Sequence, residues 1–159
     1  MLTTSYAPAR SRSSPGKGHM KLSRTVEYAV QAMLQLAQHD RGTPVPCSKL
    51  ASVGQMPERF LLQILRNLVT HGILSSTRGV DGGYALERPI EDISLLEVIE
   101  AIDGPLNSAP TPAKGMPDES HRLLNEAIQD ITSTTRRELD AIKLAALLPV
   151  PDVRVRTEA

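Results

Sequence analysis

Arg78-Gly79-Val80-Asp81-Gly82-Gly83-Tyr84 is the stretch that decides how this chain folds. Three glycines within five positions demand a tight turn, because glycine alone adopts such backbone without a steric penalty. Leu74 on one side and Tyr84-Ala85-Leu86 on the other can extend as strands. A short apolar helix pattern runs directly into this ribbon, and an arginine stands at the start of its tip. A helix followed by an Arg-tipped, two-stranded ribbon is how a winged helix-turn-helix ends. That fold sets one helix in a DNA major groove with the wing beside it. The expectation is therefore a mainly α protein with a small β-wing that binds DNA sequence-specifically.

The rest of the chain supplies the other helices. Ser23 can cap a helix to about Gln38, with Val26, Ala29, Val30, Met33 and Ala37 on one face. Arg41-Gly42-Thr43-Pro44-Val45-Pro46 breaks it. Ser48 can cap a short second helix that Gly54 ends, and Pro57 suits the first turn of a third. This third helix buries Leu61, Ile64, Leu65 and Leu68 and closes at Gly72. Ser94 and Glu97 form a capping box for a fourth helix, with Ile93 and Val98 as its hydrophobic staple. It ends near Asp103-Gly104-Pro105.

Residues 20–104 are thus the expected winged domain. Residues 105–117, with Pro105, Pro110, Pro112 and Pro117, read as an irregular loop. A long helix is expected over 118–148, with Leu124, Ile128, Ile131, Leu139 and Ile142 near one face. At about 30 residues such a helix outruns one small domain, and packing against a second copy explains it most economically. Its alternative is to fold back on its own domain. Residues 149–159 read as a flexible tail. Residues 1–19 hold Ser, Arg, Pro and Gly without acids and read as disordered, either a basic arm reaching DNA or an extension upstream of an expected start at Met20.

Composition narrows the function. With no Trp, one Phe and three Tyr, the chain lacks the aromatic platforms on which single-strand and RNA binders stack bases. Net charge is zero, which argues against a uniformly basic coat but leaves local charge to decide. From Lys49 to Arg78 there are four basic residues against Glu58 alone; from Glu87 to Asp103 there are six acids against Arg88 alone. One cysteine excludes an internal disulfide and suits a reducing cytoplasm. No apolar run approaches a membrane span, so no membrane partner is expected.

Removing the buried stripe of the third helix leaves Glu58, Arg59, Leu62, Gln63, Arg66 and Asn67 outside. Arg can fork onto guanine O6 and N7, and Gln onto adenine N6 and N7. Arg59 and Gln63 are four apart and share a helix face. Arg66 and Lys49 suit phosphate. Leu62 can touch a thymine methyl or help the core. Arg78 at the ribbon tip suits the minor groove of narrow A·T tracts. The expected DNA face is Lys49, Pro57, Glu58, Arg59, Leu62, Gln63, Arg66, Ser76, Arg78 and Gly79.

In order along the chain, Met20-Lys21-Leu22-Ser23, Tyr28-Ala29-Val30, Phe60-Leu61-Leu62-Gln63-Ile64-Leu65, the wing Arg78 to Tyr84, and Ile93 to Gly104 with Pro105-Leu106 carry a resemblance. Together they resemble the winged-helix regulators of the Rrf2 family, which includes the iron–sulfur assembly regulator, the nitric-oxide-sensitive repressor and the cysteine-metabolism repressor. The resemblance implies a homodimer joined through a long C-terminal helix, a partly palindromic duplex operator, and a role as repressor. Many relatives hold an iron–sulfur cluster on three cysteines between the fourth and the long helix. Here that stretch is Asn107-Ser108-Ala109-Pro110-Thr111-Pro112-Ala113-Lys114-Gly115-Met116, without cysteine. No cofactor and no metal are therefore expected. A small-molecule effector or a metabolic enzyme is a candidate further partner, and the alternative function is a winged-helix adaptor docking such an enzyme.

Cys47 is a candidate redox sensor if a helix N-terminus lowers its pKa, and otherwise a small apolar filler. His39, His71 and His121 show no metal-ligand spacing. Neither a nucleophile–base pair nor a phosphate loop is visible, so no enzyme is expected.

Overall fold

The computed structural model describes residues 21–106 and 114–149. The expected disordered extension (1–19), the middle of the Pro-rich loop and all but the first residue of the tail lie outside them. Five helices and one ribbon follow in chain order: α1 Arg24–Leu36, α2 Cys47–Gly54, α3 Glu58–Thr70, β1 Leu74–Thr77, β2 Gly83–Leu86, α4 Leu95–Asp103 and α5 Asp118–Ala141. Short 3-10 turns lie at Ile90–Asp92 and Leu144–Leu147.

Local chemistry accounts for most of these boundaries. The Ser23 hydroxyl accepts from the Val26 N–H at 3.2 Å and starts α1. At α4 the capping box is complete: Ser94 Oγ accepts from Glu97 N–H at 3.2 Å, and Glu97 Oε2 accepts from Ser94 N–H at 2.9 Å. Two expected starts differ. Pro46, not Ser48, is the N-cap of α2, and Pro57 is the N-cap of α3 rather than its first turn. In both, the extended proline hands its carbonyl to the first turn, as Leu50 and Leu61 N–H donate to Pro46 and Pro57 carbonyls, while its missing N–H is no loss there.

The core lies where α1, α3 and α4 converge. All four expected α3 residues, Leu61, Ile64, Leu65 and Leu68, are buried, as are Val98 and Ile99 of α4. On α1 the buried set is Val26, Ala29, Ala32, Met33 and Leu36, whereas Val30 and Ala37 are only half-buried. The apolar stripe of α1 is wide enough to admit either edge, and α3 and α4 select the one they cover.

The ribbon pairs Leu74 with Leu86, Ser75 with Ala85, Ser76 with Tyr84 and Thr77 with Gly83, antiparallel. On its other edge Tyr84 exchanges both backbone hydrogen bonds with Val45, each 2.9 Å. The wing is thereby stitched to the segment leading into α2.

The long helix departs most from expectation. α5 stops at Ala141 after 24 residues, not at 148. Ile142 and Lys143 turn extended, the Ile142 carbonyl accepts from Leu95 N–H at 2.8 Å, and Leu144 N–H donates to Ile93 at 2.9 Å. This exchange satisfies an N–H in the first turn of α4, which no helix can satisfy internally, and it drives Leu144 into the core. Leu139, expected at a subunit interface, is 5% exposed and packed within its own domain. Ile142 lies past the helix end. Leu124 and Ile131 face outward, and Ile128 is half-buried.

Candidate nucleic-acid interface

The helix-turn-helix geometry is set by four residues, Gly54-Gln55-Met56-Pro57. Gln55 takes the left-handed conformation at φ 52°, the only non-glycine to do so among the described residues. Met56 N–H returns to Ala51 at 2.9 Å while its side chain is buried, and Gln31 Nε2 donates to the Gly54 carbonyl at 3.0 Å. These bonds tie the turn to α1 and fix the angle at which α3 leaves.

α3 divides as its sequence indicates. With its leucine–isoleucine stripe buried, Glu58, Arg59, Gln63, Arg66 and Asn67 are exposed and Leu62 is half-buried. Pro57 and, on α2, Lys49 are exposed as well. Phe60, at the margin of that face, meets Tyr28 edge-to-face with ring centres 5.9 Å apart.

The wing stands beside this face. Gly82 and Gly83 are there because of close approach: a Cβ on Gly82 would sit 2.3 Å from the Thr77 carbonyl oxygen, and one on Gly83 would sit 2.4 Å from that of Val45. Between the C-terminal half of α3 and the wing opens a cleft of about 700 Å³, lined by Arg66, Thr70, Ser76, Thr77, Arg78 and Gly79 together with Pro46, Cys47 and Tyr84. No acid lines it. Lys49, Arg59, Arg66 and Arg78 form no ion pair with any described residue, whereas Arg88, Arg122 and Arg136 hold Glu97, Glu119 with Glu126, and Glu100. The cations of this face are left free for an external anion, and the hydroxyls and guanidinium groups of the cleft suit a sugar–phosphate strand.

Sequence reasoning missed Thr70 and Thr77. Thr70 belongs to the last turn of α3 and donates to the Arg66 carbonyl at 3.0 Å, so it reads as an ordinary helix residue until the wing is placed opposite. Thr77 is the last residue of β1, and nothing in its sequence context marks it before α3 is placed opposite.

Cys47, expected just before a Ser48-capped helix, is instead the first residue of α2, and its surroundings disfavour the thiolate. Burial pushes the thiol pKa up, and the nearby Glu58 carboxylate pushes it further. Its Sγ lies 3.8 Å from the Glu58 carbonyl. Both effects favour the protonated thiol over the thiolate. His39 and His71 each turn Nδ1 to a carbonyl of the preceding helical turn, Gln35 at 3.0 Å and Asn67 at 2.8 Å, a helix-end role.

In the acidic half, Glu97 and Glu100 are engaged within the fold. Burial raises the Glu97 carboxyl, but the bonds from Ser94 N–H and Arg88 outweigh it and hold it below the usual range. The Arg136 guanidinium does the same for Glu100, aided by Leu106 N–H at 2.9 Å. Glu100 thus ties α4 to α5 and to the chain leaving α4.

A helix-turn-helix with an unpaired polar face, flanked by a glycine-built wing and a basic cleft, defines a winged-helix DNA-binding protein. The profile of the family described as Rrf2, iron-dependent transcriptional regulator, matches residues 22–149, and the chain belongs to that family of transcriptional regulators. Similar proteins include an HTH-type transcriptional regulator of Mycobacterium tuberculosis, Rv1287, 47% identical over 89 residues covering 56% of this chain and 55% of that one. The chain thus spans about half the length of that relative. HTH-type transcriptional regulator IscR of Xenorhabdus nematophila is 31% identical over 84% of this chain and 82% of its own. Among solved structures, CymR, the global cysteine regulator of B. subtilis, superposes with a TM-score of 0.62 at 26% identity, covering 81% of this chain and 96% of that one.

The family description names iron, and the described residues gather no site that fits it. The chain has one cysteine, and no three of His, Cys, Asp or Glu among the described residues come together as metal ligands. No helix among them is long and apolar enough to cross a membrane.

Proposed function

We propose that this protein is a cytoplasmic, homodimeric repressor that binds a pseudo-palindromic operator without an iron–sulfur cluster. Arg59 and Gln63 read base edges in the major groove, Arg66 and Lys49 hold phosphate, and Arg78 enters the minor groove. The observation that carries this reading is the set of unpaired cations along one exposed face of α3, continued across an acid-free cleft to the wing.

Two surfaces support the dimer. On α5, Leu123, Leu124 and Ile131 are exposed apolar residues that nothing in the described chain covers. Beside α1 lies an open groove of about 590 Å³ whose apolar lining includes Leu22, Val30, Leu34, Val53 and Leu147. A two-fold pair repeats each recognition helix, so half-sites lie about one or two helical turns apart.

Mobility shifts on the DNA upstream of its own gene, with salt varied, test the reading. Specific binding that weakens steeply with salt supports it, and absence of binding at low salt favours a protein-docking adaptor.

A further inference from the structure

We propose that Asp81, at the tip of the wing, accepts a hydrogen bond from a guanine amino group in the minor groove and so selects a G·C pair beneath each wing. The inference rests on the regulator reading above, which brings the wing to that groove. Between Ser76 and Tyr84 the only charged residues are Arg78 and Asp81. The wing therefore bears one cation and one anion. A finger held only by phosphate attraction gains nothing from a carboxylate at its leading end.

Asp81 has no internal task. Gly82 N–H donates to the Gly79 carbonyl at 3.1 Å, which leaves Val80 and Asp81 as the two central residues of the turn. Val80 is fully exposed and Asp81 exposed. Aspartate in a turn commonly accepts from a backbone N–H two residues on. Here its carboxylate takes no hydrogen bond and no ion pair from any described residue.

The floor of the minor groove presents acceptors on adenine and thymine and a single donor, the guanine amino group. A carboxylate brought to that floor over A·T loses its water and faces other acceptors. Over G·C it finds a donor. Arg78 is drawn by the negative potential of narrow A·T tracts, so the two residues together select a step where a G·C pair adjoins A·T.

Operators recovered by in vitro selection with the full chain provide the test. Single guanines are replaced by inosine, which lacks the amino group and keeps the major-groove edge. The wild type loses about tenfold in affinity at one guanine per half-site, the scale of a hydrogen bond to a charged group. A diaminopurine·T pair at that position, which supplies the amino group again, restores binding. Asp81→Ala is indifferent to both replacements and binds non-specific duplex more tightly, because a negative charge has left the interface. Asp81→Asn, an uncharged acceptor, keeps part of the inosine response. A wild type insensitive to inosine beneath the wing, or an Asp81→Ala protein with the same guanine preference, overturns the assignment and leaves the regulator reading standing. Selection that returns no shared sequence overturns both.

Discussion

Replacing Leu139 and, separately, Ile131 by alanine tests where α5 belongs to its own domain and where it faces a partner. Leu139 is 5% exposed and Ile131 66% exposed, so one change acts inside the chain and the other on its surface. Truncating a buried leucine costs about 2–5 kcal/mol. Leu139 lies in the last turn of α5 between exposed Glu138 and Asp140, where neighbours can settle into the gap, which places it near about 2–3 kcal/mol. At Ile131 an isolated subunit changes by no more than about 0.5 kcal/mol. If a partner covers the exposed two-thirds of the side chain, the lost carbons amount to about 1.5 kcal/mol, at about 0.8 kcal/mol per buried methylene. Two-fold symmetry doubles this to about 3 kcal/mol, roughly a hundredfold in the dimer dissociation constant. Urea unfolding at several protein concentrations, with sedimentation equilibrium, separates the two effects. Leu139→Ala should lower stability at every concentration. Ile131→Ala should raise the dissociation constant and leave subunit stability nearly unchanged. A Leu139→Ala protein altered only in its dissociation constant, or an Ile131→Ala protein with an unaltered one, contradicts this division of α5.

Other outcomes follow from single contacts. Gly83→Ala puts a Cβ within 2.4 Å of the Val45 carbonyl; circular dichroism should show the helices intact while operator affinity falls, because the wing loses its pairing with Val45. Gln55→Gly relieves a left-handed residue at the turn and should stabilise the fold by about 1 kcal/mol, seen as a higher Tm. Because the Glu97 carboxyl is held below its usual pKa by Ser94 and Arg88, its contribution is present above the unfolded value of about 4.3 and is lost as pH falls through the lower folded value. The stability gap between wild type and Glu97→Gln should therefore be constant near neutrality and close in acid, by denaturant titration across that range.

Features set by neighbours in the chain were legible in the sequence. The capping box at Ser94 and Glu97 needs only four residues to recognise. The α3 stripe needs only the helical period, and the wing needs only its glycines and arginine. What escaped depends on contacts between distant residues. Nothing near Val45 announces that it pairs with Tyr84, because a single bridge leaves no periodic trace. The apolar positions of α5 keep their spacing past Ala141, yet the strand-like exchange of Ile142 and Leu144 with Leu95 and Ile93 overrides it. The face of α1 was blurred because its apolar residues cover more than one stripe. Cys47 sits at a helix start, the position that lowers a thiol pKa, and only the packed structure brings burial and Glu58 to bear against it.

Methylation interference on the selected operator reports each groove separately and so asks whether α3 and the wing both read DNA. Methylation of guanine N7 in the major groove should block binding in both half-sites, and Arg59→Ala should remove this sensitivity. Methylation of adenine N3 in the minor groove should block binding beside each half-site, and Arg78→Ala should remove that sensitivity alone. Interference confined to one groove or one half-site, or unchanged by both substitutions, would contradict a paired molecule that reads DNA with α3 and its wing.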